Sequence, residues 1–305
     1  MRYSRCVDYP VPKKGNFMDI RILEQSQSED AAETGTTLEV ELGLDDMARL
    51  KEEAARALEI ERSLPPAART ELADASEDAY VNDFIKTRAT NDALEAYGIV
   101  PLAAPRVKVL GLKSGALYTC VVNVVPRPEI GLTSLDPVDL KTNRVVKPGF
   151  SAKAAQEGAE GIEFLEDEKT LRIALVERLD SEFSESEMRA LGDEYQDKFE
   201  KEMERRNIDP ESYRVAHSLD EEQYALMMAR RALADAHWNC ALDAVFVGVG
   251  LEITEQDLAD SLEREFPGCS RALLEVHELR NDLYLAIEKV RRAKALEWLL
   301  ENAVK

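Results

Sequence analysis

At 305 residues the chain is too long for one small core, so two domains are expected. Hydrophobic residues make up 45% and charged residues 32%, an ordinary globular balance, and no run of about 18 apolar residues is present, which excludes a membrane-spanning helix. The net charge of −21 argues against general nucleic-acid binding, because phosphate repels an acidic surface.

Residues 1–16 read as a loose basic extension, with no apolar segment behind the charges to make a secretion signal. Met18, Ile20 and Ile22 alternate with polar residues, as do Leu38, Val40 and Leu42, which predicts two half-buried strands joined by SQSEDAAETGT. A helix is expected after Asp45, with Met47, Leu50, Ala54 and Leu58 on one face, and Pro65-Pro66 stops it. A second helix starts near Ser76, carries Tyr80, Phe84, Ile85, Leu94 and Tyr97, and ends at Gly98. Strands at Arg106–Leu112 and Leu117–Val125 follow, closed by Pro126 and Pro128. This order of elements predicts an α+β domain over residues 17–140, built on an antiparallel sheet with two helices. Residues 141–178 include KPGFSAKAAQEGAEG, small and polar, and read as a connecting segment.

Residues 179–305 read as all helical. Ser184-Glu-Ser-Glu187 is a capping box opening EMRALGDEYQDKFEKEMERR, which stops at Asn207; Asp209-Pro210 starts ESYRVAHS. Ser218-Leu-Asp-Glu221 reads as a second capping box, opening the long run from Glu221 toward Gly250. Thr254 to Asp257 caps ITEQDLADSLEREF, and a final helix runs over Leu283–Val304, with Leu285, Val290, Leu296, Trp298, Leu299 and Leu300 expected in its core face.

That succession of caps, breaks and helices over residues 184–304 resembles the C-terminal domain of the trigger-factor family, ribosome-associated bacterial chaperones. The phrases DALEAYGIVPLAAPRVKV and ALYTCVVNVVPRPEIGL resemble the end of the same family's N-terminal domain. The resemblance implies an elongated molecule whose helical part is a trigger-factor/SurA-like peptide-binding domain with two arms. It implies an ATP-independent holdase that shields unfolded or nascent polypeptides in the cytoplasm, with no cofactor and with ribosome contact or self-association as further partners. Two departures stand out. The family's docking loop reads Gly-Phe-Arg-Lys-Gly-Lys, whereas ERSLPPAART here carries only Arg62 and Arg69. The segment Lys141–Arg178 is too short for the family's prolyl-isomerase domain, so that activity is not expected.

No catalytic constellation is legible. His217, His237 and His277 are isolated, the four cysteines form no CxxC pair, and no nucleotide motif or HExxH is present. The chemistry-bearing candidates are apolar. Tyr224, Met227, Met228, Trp238 and Val245 recur along the long helix, and Met188, Tyr195, Phe199 and Met203 share the helix before it. Such a stripe packs against neighbouring helices or forms the wall of a cradle, where flexible thioethers repack against varied partners. These nine residues are the client-binding candidates. For ribosome docking the candidates are Arg62 and Arg69, with Arg2, Arg5, Lys13 and Lys14 of the extension as substitutes.

Overall fold

The computed structural model describes residues 19–25, 35–111, 118–140 and 159–304. Four strands, β1 (Asp19–Gln25), β2 (Thr36–Leu42), β3 (Arg106–Gly111) and β4 (Tyr118–Val124), form one antiparallel sheet in the order β1-β2-β4-β3. Helices α1 (Leu44–Ser63) and α2 (Glu77–Ala96) lie between β2 and β3 in the chain. The register pairs Leu38 with Val122 and Val40 with Cys120. Because side chains alternate across a strand, Leu38, Val40, Leu42, Cys120, Val122 and Val124 share one buried face. Leu50 of α1 and Ile85, Ala89, Ala93 and Leu94 of α2 complete that core. Gly98, at φ +63°, ends α2 in the left-handed conformation a glycine adopts without steric cost.

The helical part holds α3 (Ala159–Val176), α4 (Glu185–Arg205), α5 (Pro210–Ala216), α6 (Glu221–Gly248), α7 (Glu255–Glu265), α8 (Ser270–Arg280) and α9 (Leu283–Asn302). Its core gathers Leu171 and Leu175 from α3, Trp238, Leu242 and Val245 from α6, and Ala295 and Leu299 from α9. Val138 and Leu140 belong to the same core, and Leu140 N–H donates to Val304 O at 3.0 Å.

Several expectations change. Part of the expected connector, residues 159–176, is a helix whose buried leucines hold it in the helical core, and the chain already joins that core at Val138 rather than after 178. Helix α8 interrupts a stretch in which no helix was expected. Ser218 is no cap: it sits at φ +53° and closes α5, while Asp220 caps α6, its carboxylate accepting from Gln223 N–H at 2.7 Å. Leu285 of α9 is exposed. Residues 1–16, with Arg2, Arg5, Lys13 and Lys14, lie outside the described residues.

The expected cap of α7 is present in full. Asp257 accepts from Thr254 N–H at 2.7 Å and Thr254 Oγ1 at 2.8 Å, and Lys294 Nζ of α9 approaches to 2.9 Å. The Lys294 contact and the two Thr254 bonds hold the Asp257 carboxyl down at about 2. A depressed carboxyl stabilises the fold above its unfolded pKa, and the effect fades as pH falls through the folded one. Asp257→Ala is therefore expected to lower Tm at neutral pH, with the gap to wild type closing between about pH 4 and pH 2 in a pH series of thermal melts.

Candidate functional site

Helices α4 and α6 run side by side as a hairpin, with short α5 across their connection. Their closest approach is set by Gly192, where a Cβ would come within 3.3 Å of the Ala229 backbone and side chain. The helix ends of the hairpin each have their own local cause. Ser184 and Glu187 cap α4 reciprocally, Glu187 N–H to Ser184 Oγ at 3.3 Å and Ser184 N–H to Glu187 Oε2 at 2.6 Å. Asn207 ends α4 at φ +56°, and Asp209 caps α5 by accepting from Ser212 N–H at 2.8 Å, with Pro210 at the first helical position.

At the connected end, aromatic rings pack together. Tyr213 meets Phe199 edge-on at 5.4 Å, Tyr224 at 6.5 Å and His217 at 4.3 Å between ring centroids. Arg231 lies over Phe199 and Arg214 over Tyr224, each 5.9 Å from the centroid. Beside this cluster a groove of about 440 Å³ runs past Gln196, Glu200, Asp209, Glu211, Glu221 and Tyr224. Burial, reinforced by the Glu200 carboxylate, pushes the Tyr224 phenol up to about 12. The groove rim is thus acidic, and Arg214, its one cation, is ion-paired with Glu211.

The nine candidates of the apolar stripe do not line this groove as a set. Met203, Tyr224, Met228, Trp238 and Val245 are buried. Trp238 and Val245 pack with α3 and α9, well away from the connected end. Met188, Tyr195, Phe199 and Met227 are half-buried, and Met188 packs near Phe183, Ala236 and Cys240. Five of the nine are therefore packing residues rather than a cradle surface. The exposed apolar residues at the connected end are others: Ile208 just before α5, Val215 in α5 (69% exposed) and Leu226 in the second turn of α6. Leu226 falls between stripe positions, and the sequence signal for it is that polar and apolar residues of α6 are not segregated onto opposite faces, so some apolar side chains lie among charged ones.

The docking candidates are also reassigned. Arg62 Nε donates to Ala73 O at 3.0 Å, and Arg69 donates from Nε to Leu64 O at 2.6 Å and from Nη1 to Asp74 at 3.1 Å. Both arginines tie down the α1–α2 connection, Arg69 half-buried and Arg62 exposed. Leu64 and Ala68 of that connection are buried against Leu262 of α7 and Leu273 of α8.

The histidines stay apart. His237 packs on Phe183 at 5.0 Å, its pKa lowered by burial, and His277 Nδ1 lies 2.7 Å from Asp282. Among the described residues no group of three or more His, Cys, Asp or Glu is placed to hold a metal ion, and no helix is long and apolar enough to cross a membrane. No protein-family model matches the chain, and no curated protein or solved structure matches it either.

Proposed function

We propose that this chain is a cytoplasmic, ATP-independent holdase of the trigger-factor type, which binds segments of unfolded polypeptide at the connected end of the α4–α6 hairpin. The observation that carries the reading is the exposure there of Ile208, Val215 and Leu226 beside an acid-rimmed groove. Exposed apolar side chains beside a charged rim suit weak, reversible binding of many sequences. Each apolar contact contributes about 25 cal/mol per Å² buried, against the entropy of ordering the client. The acidic rim favours segments that carry lysine or arginine near their apolar residues. The protein acts by binding and not as a prolyl isomerase.

Replacing Ile208, Val215 and Leu226 together by serine is expected to abolish most suppression of aggregation of a chemically denatured client in a light-scattering assay. Tm should stay within a degree or two, because exposed positions carry little stability, within about 0.5 kcal/mol each. Unchanged suppression by the folded triple variant would remove this surface from the function.

A second reading is an assembly or scaffold protein that holds one folded partner or a second copy of itself. The burial of Met203, Met228, Trp238 and Val245 favours it, since it leaves a smaller adaptable surface than a wide cradle has. So does the α1–α2 connection, whose Leu64 and Ala68 are covered and whose Arg62 and Arg69 both bond to its own backbone. A peptide array separates the two readings: many apolar and aromatic hits support the holdase, and one hit or none supports the scaffold.

A further inference from the structure

The α7–α8 pair belongs to neither of the two main cores. The core under the sheet is made from β2, β4, α1 and α2, and the helical core from α3, α6, α9 and residues 138–140. No residue of α7 or α8 enters either one. The pair instead closes over the α1–α2 connection through a small apolar patch of Leu64, Ala68, Leu262, Cys269 and Leu273.

Leu279 of α8 also packs on the α1–α2 cluster of Ala57, Leu58, Tyr80 and Phe84, and a polar network adds to that apolar contact. From α2, Arg88 Nη1 donates to Leu279 O at 2.6 Å and Asn91 Nδ2 to Arg280 O at 3.1 Å, so side chains of α2 satisfy the last carbonyls of α8. Asn281 Nδ2 donates to Asp92 at 2.7 Å and Glu95 at 2.9 Å. In return α8 sends the buried Arg280 guanidinium to Glu61 Oε1 at 3.1 Å, with Tyr80 and Phe84 under it at 5.1 and 5.8 Å. Glu61 also accepts from Tyr80 OH at 2.7 Å and Thr70 N–H at 3.1 Å, which links α1, the connection, α2 and α8 at one carboxylate.

Charged and polar groups are buried within this seam alongside its apolar contacts. Glu53 Oε2, Asp92 Oδ2 and Arg280 Nε are buried in it without a hydrogen-bond partner. An open groove of about 380 Å³ runs along it past Arg56, Arg271, Leu274 and Glu275. Buried polar atoms left unpaired in a seam regain hydrogen bonds when water enters, which lowers the free energy of opening it. A polar interface of this kind permits relative movement of the parts it joins. The chain on each side of the pair turns at a left-handed residue, Gly250 at φ +71° and Asn281 at φ +52°. Ties from α9 to α7 include the partly exposed ion pairs Lys289 to Glu265 and Lys294 to Asp257, which solvent can replace on opening more readily than buried contacts.

We infer that α7–α8 is a clasp, closed over the α1–α2 connection, that lifts as a unit while both main cores stay folded, uncovering the apolar patch of Leu64, Ala68, Leu262, Cys269 and Leu273. The inference does not depend on the chaperone reading. The chain carries its own probes: Cys120 is buried in the sheet core, Cys240 beside α4, and Cys269 in the patch under the clasp. The test is alkylation of the native full-length protein with N-ethylmaleimide at increasing urea, read cysteine by cysteine by peptide mass spectrometry. Each rate is divided by that cysteine's rate in the denatured chain. In wild type, Cys269 is expected to react at least tenfold faster than Cys120 and Cys240, with a shallower dependence on urea, the mark of a partial opening. Arg280→Ala is expected to speed Cys269 by a further tenfold or more and leave the other two unchanged. Equal protection and equal urea slopes at all three cysteines in wild type would show that the clasp opens only on global unfolding and would overturn the inference. So would an Arg280→Ala variant that accelerates all three together. Should that variant fail to fold, the wild-type comparison decides alone.

Discussion

Asp243→Ala should cost about 2–3 kcal/mol, below the range for a fully buried ion pair because the cluster is half-buried, and above that of a surface pair. Asp243 of α6 lies among three guanidiniums. Arg292 of α9 approaches at 3.0 Å, Arg127 of the segment after β4 at 3.3 Å and Arg291 at 3.9 Å. Glu288 is the second carboxylate of the cluster, 2.7 Å from Arg127 and 3.4 Å from Arg292. Burial by itself lowers the pKa of Arg127, and Glu288 and Asp243 more than offset it, so the guanidinium is held charged. Removing Asp243 leaves Arg127 and Arg292 sharing one carboxylate, Glu288, where the sheet-bearing part meets α6 and α9. Urea titration checks the loss. Asp243→Asn should retain part of the stability, because its amide oxygen still accepts one hydrogen bond, while an uncharged side chain cannot offset the cations. A loss under about 1 kcal/mol for the alanine variant would mean that the arginines reach solvent and the cluster acts as a surface pair.

The second large effect concerns a residue of the apolar stripe. Met228→Ala is expected to destabilise the protein by about 2–5 kcal/mol, the cost of emptying a fully buried methionine site. Tm should fall by roughly 5–15 °C for a protein of this size. Met228 is 0% exposed, on the helix that packs against α4. Client binding per folded molecule should not change, because no client reaches the side chain. The Ile208, Val215 and Leu226 triple variant should behave in the opposite way, losing binding while keeping Tm. A Met228→Ala protein with unaltered Tm and weakened client binding would reverse these assignments and put the stripe on the surface.

Met228 and Leu226 differ in burial although their local sequence is alike. Both are large, apolar and on the same helix, two positions apart. Helical spacing says that they point in different directions. It does not say which direction faces α4, because α6 is apolar on more than one side. The same holds for Arg62 and Arg69. As sequence they are two cations in a proline-broken loop, and only the folded connection shows that Arg62 donates to a backbone carbonyl 11 positions away and Arg69 to one 5 positions away. The start of helix α8, at Cys269, has no side-chain cap, so no local signal marks it in the sequence.

The chain's own residues determined the local events. Alternation set β2 with its inward face of Leu38, Val40 and Leu42, prolines ended α1, and Ser184, Asp209 and Thr254 started α4, α5 and α7. Each of these rests on contacts between residues a few positions apart, so the chemistry is complete in a short stretch of sequence. Tertiary structure decided what depends on distant partners. Arg280 meets Glu61 across 219 positions, and Asn281 meets Asp92 across 189. Leu171 and Leu175 turn an apparent connector into part of the helical core by finding α6 and α9. Burial of a given apolar or charged side chain is a property of the surface that comes to cover it, and no local pattern carries that information.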